Sequence, residues 1–467
     1  MLLSKFKNKF IGDKAFYKML LVIALPIMLQ NGITNFVSLL DNIMVGQVGT
    51  EQMSGVAIAN QLIFVFNLCI FGGVAGPGIF TSQYHGYGSI DGVKKTFRFK
   101  LIIATVITAV FLAAFLLFDE PLISLYLHDT GSGGDIVKTL GYSRGYMRIM
   151  LIGIVPFAFS QCYASTLRET EHAVLPMIAG IIAVLVNLTF NWLLIFGNLG
   201  FPCLGVNGAA IATVMSRFVE LAIVVIWTHT HTDTVPYAKG LFKDFSIGRE
   251  LAKKVTIKGL PLLFNETLWS LGMTTILQCY SMRGLEAVAA ANISSTMSNL
   301  FNAVLLAMGN TISIIIGKLL GTGKMDEAKD TDTKLIATSF FACIFLGIVV
   351  FLLAPLFPSL YNTTDSVKSI AATFLRITAI VMPLMAVNHG CYFTLRSGGK
   401  TFITFLFDSA FIWVICLPPA FILSHYTGVG LITIYAVVQA TELIKAIIGF
   451  ILVKKGLWIN NIVSDLS

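Results

Sequence analysis

Ser38-Leu39-Leu40-Asp41-Asn42-Ile43-Met44-Val45-Gly46 closes an apolar run that opens near Lys18. A carboxylate in the middle of a membrane span costs about 3 kcal/mol on insertion scales. A chain that keeps Asp41 there gains something from it: an ion, a proton or a partner. The rest of the sequence reads as the scaffold that lets Asp41 be used.

The surrounding composition fits that reading. Of 467 residues, 56% are hydrophobic and 12% charged, with mean hydropathy +0.82. A soluble domain carries about twice that share of charge. Apolar runs of about 20 residues or more recur along the whole length, the pattern of a polytopic all-α membrane protein. Outer-membrane barrels instead show alternating segments of about ten residues, and none occur here. The net charge of +8 reflects basic cytoplasmic loops and does not call for nucleic acid. Seven cysteines are scattered without CxxC spacing and read as small core residues. The basic N-terminus lacks a small-residue cleavage site, so the first run is expected to stay as a span.

The pattern predicts twelve spans, near 17–45, 52–82, 97–118, 139–166, 173–197, 206–229, 255–280, 287–317, 335–358, 370–394, 402–424 and 429–453. Residues 1–16 form a basic entry, and residues 454–467 form a tail. With the N-terminus inside, the even-numbered turns hold Lys94, Lys95, Arg98 and Lys100, then Arg168, then Lys239 to Lys254. After these come Lys324, Lys329 and Lys334, then Arg396 and Lys400. The odd-numbered turns offer little beyond Lys138, Arg283 and Lys368. That asymmetry predicts cytoplasmic termini, multiple passes and a plasma-membrane location.

An internal repeat divides the chain. Ala24-Leu25-Pro26-Ile27-Met28-Leu29 matches Gly259-Leu260-Pro261-Leu262-Leu263-Phe264 at a shift of 261 − 26 = 235. The same shift pairs Gly49 with Gly284, Gly86 with Gly321, Gly88 with Gly323 and Asp91 with Asp326. A second block pairs Thr166-Leu167-Arg168 with Thr394-Leu395-Arg396 at a shift of 228. Two pseudo-symmetric six-helix bundles follow, 17–229 and 255–453, joined by a polar linker over 230–254, with a central site expected between them. Prolines inside spans, Pro26 among them, each remove a backbone donor and can bend a helix.

Depth within the spans sorts the polar residues. Asp41 lies in the outer third of the first span, and Asn187, Asn191 and Thr213 fall in the same layer. Asn187 and Asn191 are four apart and share a helix face. This set suits a hard monovalent cation or a proton. In the C-terminal half Glu266, Asp408, Asn388 and His389 share a different layer, on the cytoplasmic side. They form either a structural cluster or a second proton, cation or substrate site. Glu220 with Arg217, and Glu442 with Lys445, read as self-neutralising pairs on one helix. The chain shows no phosphate-binding loop, zinc spacing or nucleophile elbow, so no catalytic residues are expected.

Leu40 to Gly49, the stretch from Asn187 through Phe190-Asn191-Trp192 to Gly208-Ala209-Ala210-Ile211-Ala212-Thr213, and Leu395-Arg396-Ser397-Gly398-Gly399-Lys400-Thr401 resemble the MATE family, the multidrug and toxic compound extrusion transporters. The resemblance implies twelve helices in two bundles. It also implies export of mostly cationic amphiphiles in exchange for H+ or Na+, with no further cofactor. It maps the first-helix acid of the family onto Asp41, the fifth-helix polar pair onto Asn187 and Asn191, and the sixth-helix threonine onto Thr213. Some members carry an acid where this chain has Asn191, and sodium-coupled members often have a tenth-helix acid where Asn388 and His389 stand. The coupling ion therefore stays open.

A flippase for lipid-linked sugars, from a related superfamily, is the competing reading. Flippases of anionic lipids would place Arg or Lys centrally. Here most mid-span ionisable residues away from expected ion pairs are acids (Asp41, Glu266, Asp408). A non-transporting scaffold would leave Asp41 unexplained. The expected partners are a small amphiphilic substrate and the lipid bilayer, with the chain acting as a monomer. Pro26 lies 41 − 26 = 15 residues before Asp41, so cation binding at Asp41 is expected to bias a bend of the first helix.

Overall fold

The computed structural model describes residues 9–48, 50–124, 136–361 and 363–464. Twelve long helices dominate them: α1 Lys14–Gly46, α2 Thr50–Tyr87, α3 Ile90–Ser124, α4 Ile136–Glu169, α5 Val174–Phe196 and α6 Val206–Thr230. Then come α7 Arg249–Ser281, α8 Leu285–Gly321, α9 Met325–Leu353, α10 Asp365–Ser397, α11 Thr401–Tyr426 and α12 Leu431–Lys454. Eleven are long and apolar enough to cross a membrane. The other, α7, is as long as α1 at 33 residues but is diluted by groups such as Lys258, Asn265 and Glu266. A span must satisfy its backbone internally, so long apolar runs settle as helices. The protein is a multi-pass membrane protein of all-α class. The basic segment before residue 9 and Gly49 of the repeat lie outside the described residues. So do the side chains of Ser38, Leu39, Asn42 and Ile43.

Each expected span coincides with one helix, with two instructive differences. The ninth stops at Leu353, five residues early, because Pro355 cannot continue it. The third runs on to Ser124 across a break at Phe118 (φ −133°, ψ 31°), three residues before Pro121. The repeat is visible in the turns: Gly88 (φ +83°) after α2 and Gly323 (φ +77°) after α8 are mates in the left-handed region, where a side chain is strained.

The chain resolves into two units. One comprises residues 29–81 and 90–253. Its core centres on Phe66, Phe97, Met147, Met150 and Ile154, all essentially buried. The 230–254 stretch packs into it: Val235, Tyr237 and Leu241 are buried, Arg98 donates to the Leu241 and Gly240 carbonyls at 2.8 and 3.0 Å, and Tyr237 meets Thr170 at 3.1 Å.

The other unit comprises residues 1–28, 82–89 and 254–467. Phe374 stacks on Tyr435 (centroids 3.9 Å apart, 8° between planes), whose hydroxyl bonds Thr378 at 2.7 Å. At the end of α2 the repeat folds onto itself. A side chain at Gly86 would strike the Lys318 carbonyl, and one at Gly321 would strike the Gln83 carbonyl. Since 86 + 235 = 321 and 83 + 235 = 318, the two contacts are equivalent under the repeat. Small residues let these helices meet backbone to backbone. The tail closes over this seam. Gln83, wholly buried, donates to the Ser397 carbonyl (2.9 Å) and the Asn460 carbonyl (3.2 Å), and accepts from the Ile462 amide (2.8 Å). Trp458 is 2% exposed, and its carbonyl fills the space beside Gly398.

Candidate functional site

The C-terminal end of α1 delivers Asp41, and one face of α5 delivers Asn187 and Asn191, which are 6% and 1% exposed. Asn191 Nδ2 donates to Asp41 Oδ1 at 2.6 Å and to Asn187 Oδ1 at 3.1 Å. Asn187 Nδ2 donates to Thr213 Oγ1 of α6 at 3.2 Å, and Thr213 passes its own proton to the Ala209 carbonyl at 3.0 Å. All four residues singled out by depth therefore form one chain of hydrogen bonds. The four-residue spacing on α5 is what lets one amide bond the next.

This arrangement carries a conflict. The terminal Asn187 atom facing Asp41 lies 2.9 Å from Oδ1 and 3.2 Å from Oδ2. With the amide oxygen there, two acceptors oppose each other at hydrogen-bond distance. With the amide turned, Nδ2 can donate to the carboxylate, but it then meets Asn191 Nδ2 at 3.1 Å. A bare carboxylate thus leaves one like-with-like contact in either orientation. A proton on Asp41, or a small cation among the oxygens, removes the first conflict without turning the amide. Asn191 Oδ1 is also buried without a hydrogen-bond partner among the described residues. Among those residues Asp41 has amides and no fixed cation beside it.

α1 continues through Pro26 to Gly46. Pro26 is buried, flanked by Ala24 and Ile27, and lies four residues before Gln30. Gln30 accepts from Arg168 at 3.3 Å and packs on Gly180.

The second polar layer is arranged differently from expectation. Glu442 and Lys445 do not pair on their shared helix. Lys445 Nζ crosses to Asp408 Oδ1 of α11 at 2.8 Å, because α11 packs against α12 closely enough to bring the carboxylate within reach. Glu442 Oε2 instead accepts from Asn388 Nδ2 at 2.7 Å. His389 turns to its own helix, Nδ1 meeting the Met385 carbonyl at 3.0 Å. Glu266 has Arg396 and Asp408 as its charged neighbours. The layer thus splits into two hydrogen-bonded pairs and two flanking groups.

Asn265 is the organising residue that the sequence reading passed over in favour of Glu266. Its Nδ2 donates to Asp408 Oδ2 (3.0 Å), and its Oδ1 takes both the Ser409 amide (3.3 Å) and the Ser409 hydroxyl (2.7 Å). The repeat offered a signal, since 265 − 30 = 235 makes Asn265 the mate of Gln30.

The family model described as MatE matches residues 26–193 and 261–422. A protein named probable multidrug resistance protein NorM, of Thermotoga maritima, is 23% identical over 442 residues, spanning 94% of this chain and 93% of that one. The multidrug resistance protein MdtK of Pectobacterium atrosepticum is 24% identical over 410 residues, 86% of each chain. In fold, the chain superposes with a TM-score of 0.84 on a structure described as the outward-facing conformation of a multidrug resistance MATE family transporter of the MOP superfamily. That match is 20% identical and covers 97% of both chains. A crystal structure of MATE in the bent conformation gives 0.85 at 20% identity, covering 96% of both.

Proposed function

We propose, because the chain belongs to the MatE family, that it is a secondary active multidrug exporter that releases cationic amphiphiles in exchange for H+ or Na+ at Asp41. The observation that carries this reading is the Asp41 oxygen set. It holds a carboxylate bonded by Asn191 at 2.6 Å, the end of the Asn187 amide 2.9 Å away and no fixed cation among the described residues, which supports a cation or proton taken from solution. Relatives named for multidrug resistance over nearly the whole chain support the substrate class. Both termini face the cytoplasm of the plasma membrane, the chain works as a monomer, and its chemistry is transport rather than catalysis.

The coupling works through two charge states of one acid. An ionised Asp41 draws the Asn187 amide nitrogen toward it; a proton or sodium ion lets the oxygen face it. The helix that carries Asp41 contains Pro26, whose missing donor lowers the cost of a bend. Structures of this fold are described as MATE in the bent conformation and as MATE in the straight conformation, which supports a two-state reading. A cation shifts that equilibrium only by its difference in affinity for the two states.

The test is efflux of a fluorescent organic cation from proteoliposomes under an imposed proton or sodium gradient. Asp41→Asn should fold with an unchanged unfolding midpoint and lose gradient-driven efflux. Unchanged gradient dependence in Asp41→Asn would make Asp41 structural and move the coupling to the Glu266 and Asp408 layer.

A further inference from the structure

Two buried carboxylates, Asp41 and Asp408, are met in opposite ways. Asp41 is met by amides, whereas Asp408 is met by an ammonium of the chain itself. Lys445 is 8% exposed, and Nζ lies 2.8 Å from Asp408 Oδ1 and 5.4 and 5.8 Å from the ring centres of Phe407 and Phe411. Glu442, one turn earlier on α12, is its second anionic neighbour. Asp408 is held from the far side by Asn265. The ammonium therefore has one carboxylate in contact, a second as electrostatic neighbour and two aromatic faces at 5.4 and 5.8 Å, which is the environment a dissolved monovalent cation would seek.

The repeat provides an internal control. Since 445 − 217 = 228 and 408 − 180 = 228, Lys445 corresponds to Arg217 and Asp408 to Gly180. The first half keeps the base and lacks the acid. Arg217 there donates to the Gly153 carbonyl at 3.4 Å and lies over Phe157 at 4.9 Å. The base is common to both halves; an acid at the Asp408 position belongs to the second alone, and in the first the acid beside Arg217 is Glu220 of its own helix.

The segment holding Asp408 is built for a site rather than for plain packing. α11 winds as a π-helix over Leu406–Ala410 and again over Ile412–Cys416, and Asn265 braces the first of these through Ser409. Wide turns of this kind gather at functional positions.

We propose that Lys445 is the resident counter-cation of the second unit. Its ammonium occupies the place of a sodium ion at Asp408, so wild-type protein binds no exchangeable sodium there, and loss of Lys445 opens a sodium site. One exchangeable cation per cycle, at Asp41, follows. Only this stoichiometric corollary rests on the function proposed above; the binding claim is tested without transport.

The experiment follows the unfolding midpoint of the full-length protein in detergent at pH 8 as NaCl replaces choline chloride at constant ionic strength. The Asp41→Asn background silences the first site. A ligand that binds only the folded state raises its midpoint in a saturable way. Asp41→Asn should show no saturable sodium shift, Asp41→Asn/Lys445→Ala should show one of a few degrees, and adding Asp408→Asn should abolish it. A saturable shift with Lys445 intact that Asp408→Asn removes would overturn the proposal. So would a folded Asp41→Asn/Lys445→Ala protein indifferent to sodium, whose uncompensated acid would then take a proton. If the Lys445→Ala protein is recovered only in sodium-containing buffer, the proposal stands; if recovery requires neutralising Asp408 whatever the salt, it falls.

Discussion

Lys100 is wholly buried, with its ammonium 2.5 Å from Glu169 Oε2 and 3.1 Å from the hydroxyls of Ser165 and Thr166. Gly78 leaves the room in which Glu169 sits. Removing one partner of such a pair strands a charge in a low-dielectric interior, at a cost of about 3–5 kcal/mol; removing both is far milder. Lys100→Met should therefore lower stability by about 3–5 kcal/mol, and Lys100→Met/Glu169→Gln should recover most of it. Unfolding in detergent for the two single variants and the double measures the coupling. An additive double variant would show that the pair contributes nothing. The contrast with Asp41 explains what the sequence could reveal. Asp41, Asn187, Asn191 and Thr213 were found together because each lies at a countable distance from a loop, and depth is linear in residue number along a helix. The pairing of Lys445 was not legible. Three-residue spacing points to Glu442, but the partner comes from a neighbouring helix, and single-sequence spacing carries no information about which helices pack.

Among the elements, α11 departs furthest from its sequence pattern. Its apolar run predicts one regular helix, and the structure shows two π-helical stretches before Leu417–Tyr426. Pro418 and Pro419 explain the irregular run, since neither can donate to the turn before it. Asn265 then supplies bonds from α7 to the Ser409 amide and hydroxyl and to Asp408. Asn265→Ala would remove these at once and leave buried groups unmet, each worth about 1–3 kcal/mol. A loss of roughly 2–5 kcal/mol in stability is expected. Amide exchange in α11 should quicken around Ser409 more than in α10. Uniform exchange would show that the wide turns stand without Asn265. Helix existence and extent were legible here, as in eleven other places, because apolar length and Pro or Gly punctuation set them. The π geometry of the first stretch was not, since a side chain of another helix braces it at Ser409.

At the scale of the molecule, the repeat and the basic turns make two separate demands. The first is orientation. Single cysteines at Lys138 and Lys368 should react with an impermeant thiol reagent from outside, and those at Lys94 and Lys329 should react only after permeabilisation. The opposite pattern would invert the proposed topology. The second concerns the tail, which reads in sequence as a cytoplasmic end over 454–467 and in the structure packs through Trp458 and Val463. Gln83 and Lys318 are mates across the repeat, and a backbone-to-backbone contact at Gly86 and Gly321 joins their helices. α8 ends at Gly321, so its last carbonyls lack helical partners, and the tail meets one of them: Asn461 Nδ2 donates to the Gly321 carbonyl at 3.2 Å, while the Gln83 side chain bonds Asn460 and Ile462. Trp458 seals the group, its indole donating to the Val453 carbonyl at 3.1 Å. Truncating a buried aromatic side chain of this size costs about 3–5 kcal/mol. Trp458→Ala should lower the unfolding midpoint accordingly, and deletion of residues 457–467 should lower it further by stripping the bonds to Gln83 and Gly321. A cysteine at Gln83 should be unreactive in the full chain and become labelled from the tail side in the deletion variant. Were the deletion to leave both midpoint and labelling unchanged, the tail would rest on the seam without closing it, and Gln83 would draw its burial from α8 and α10 alone.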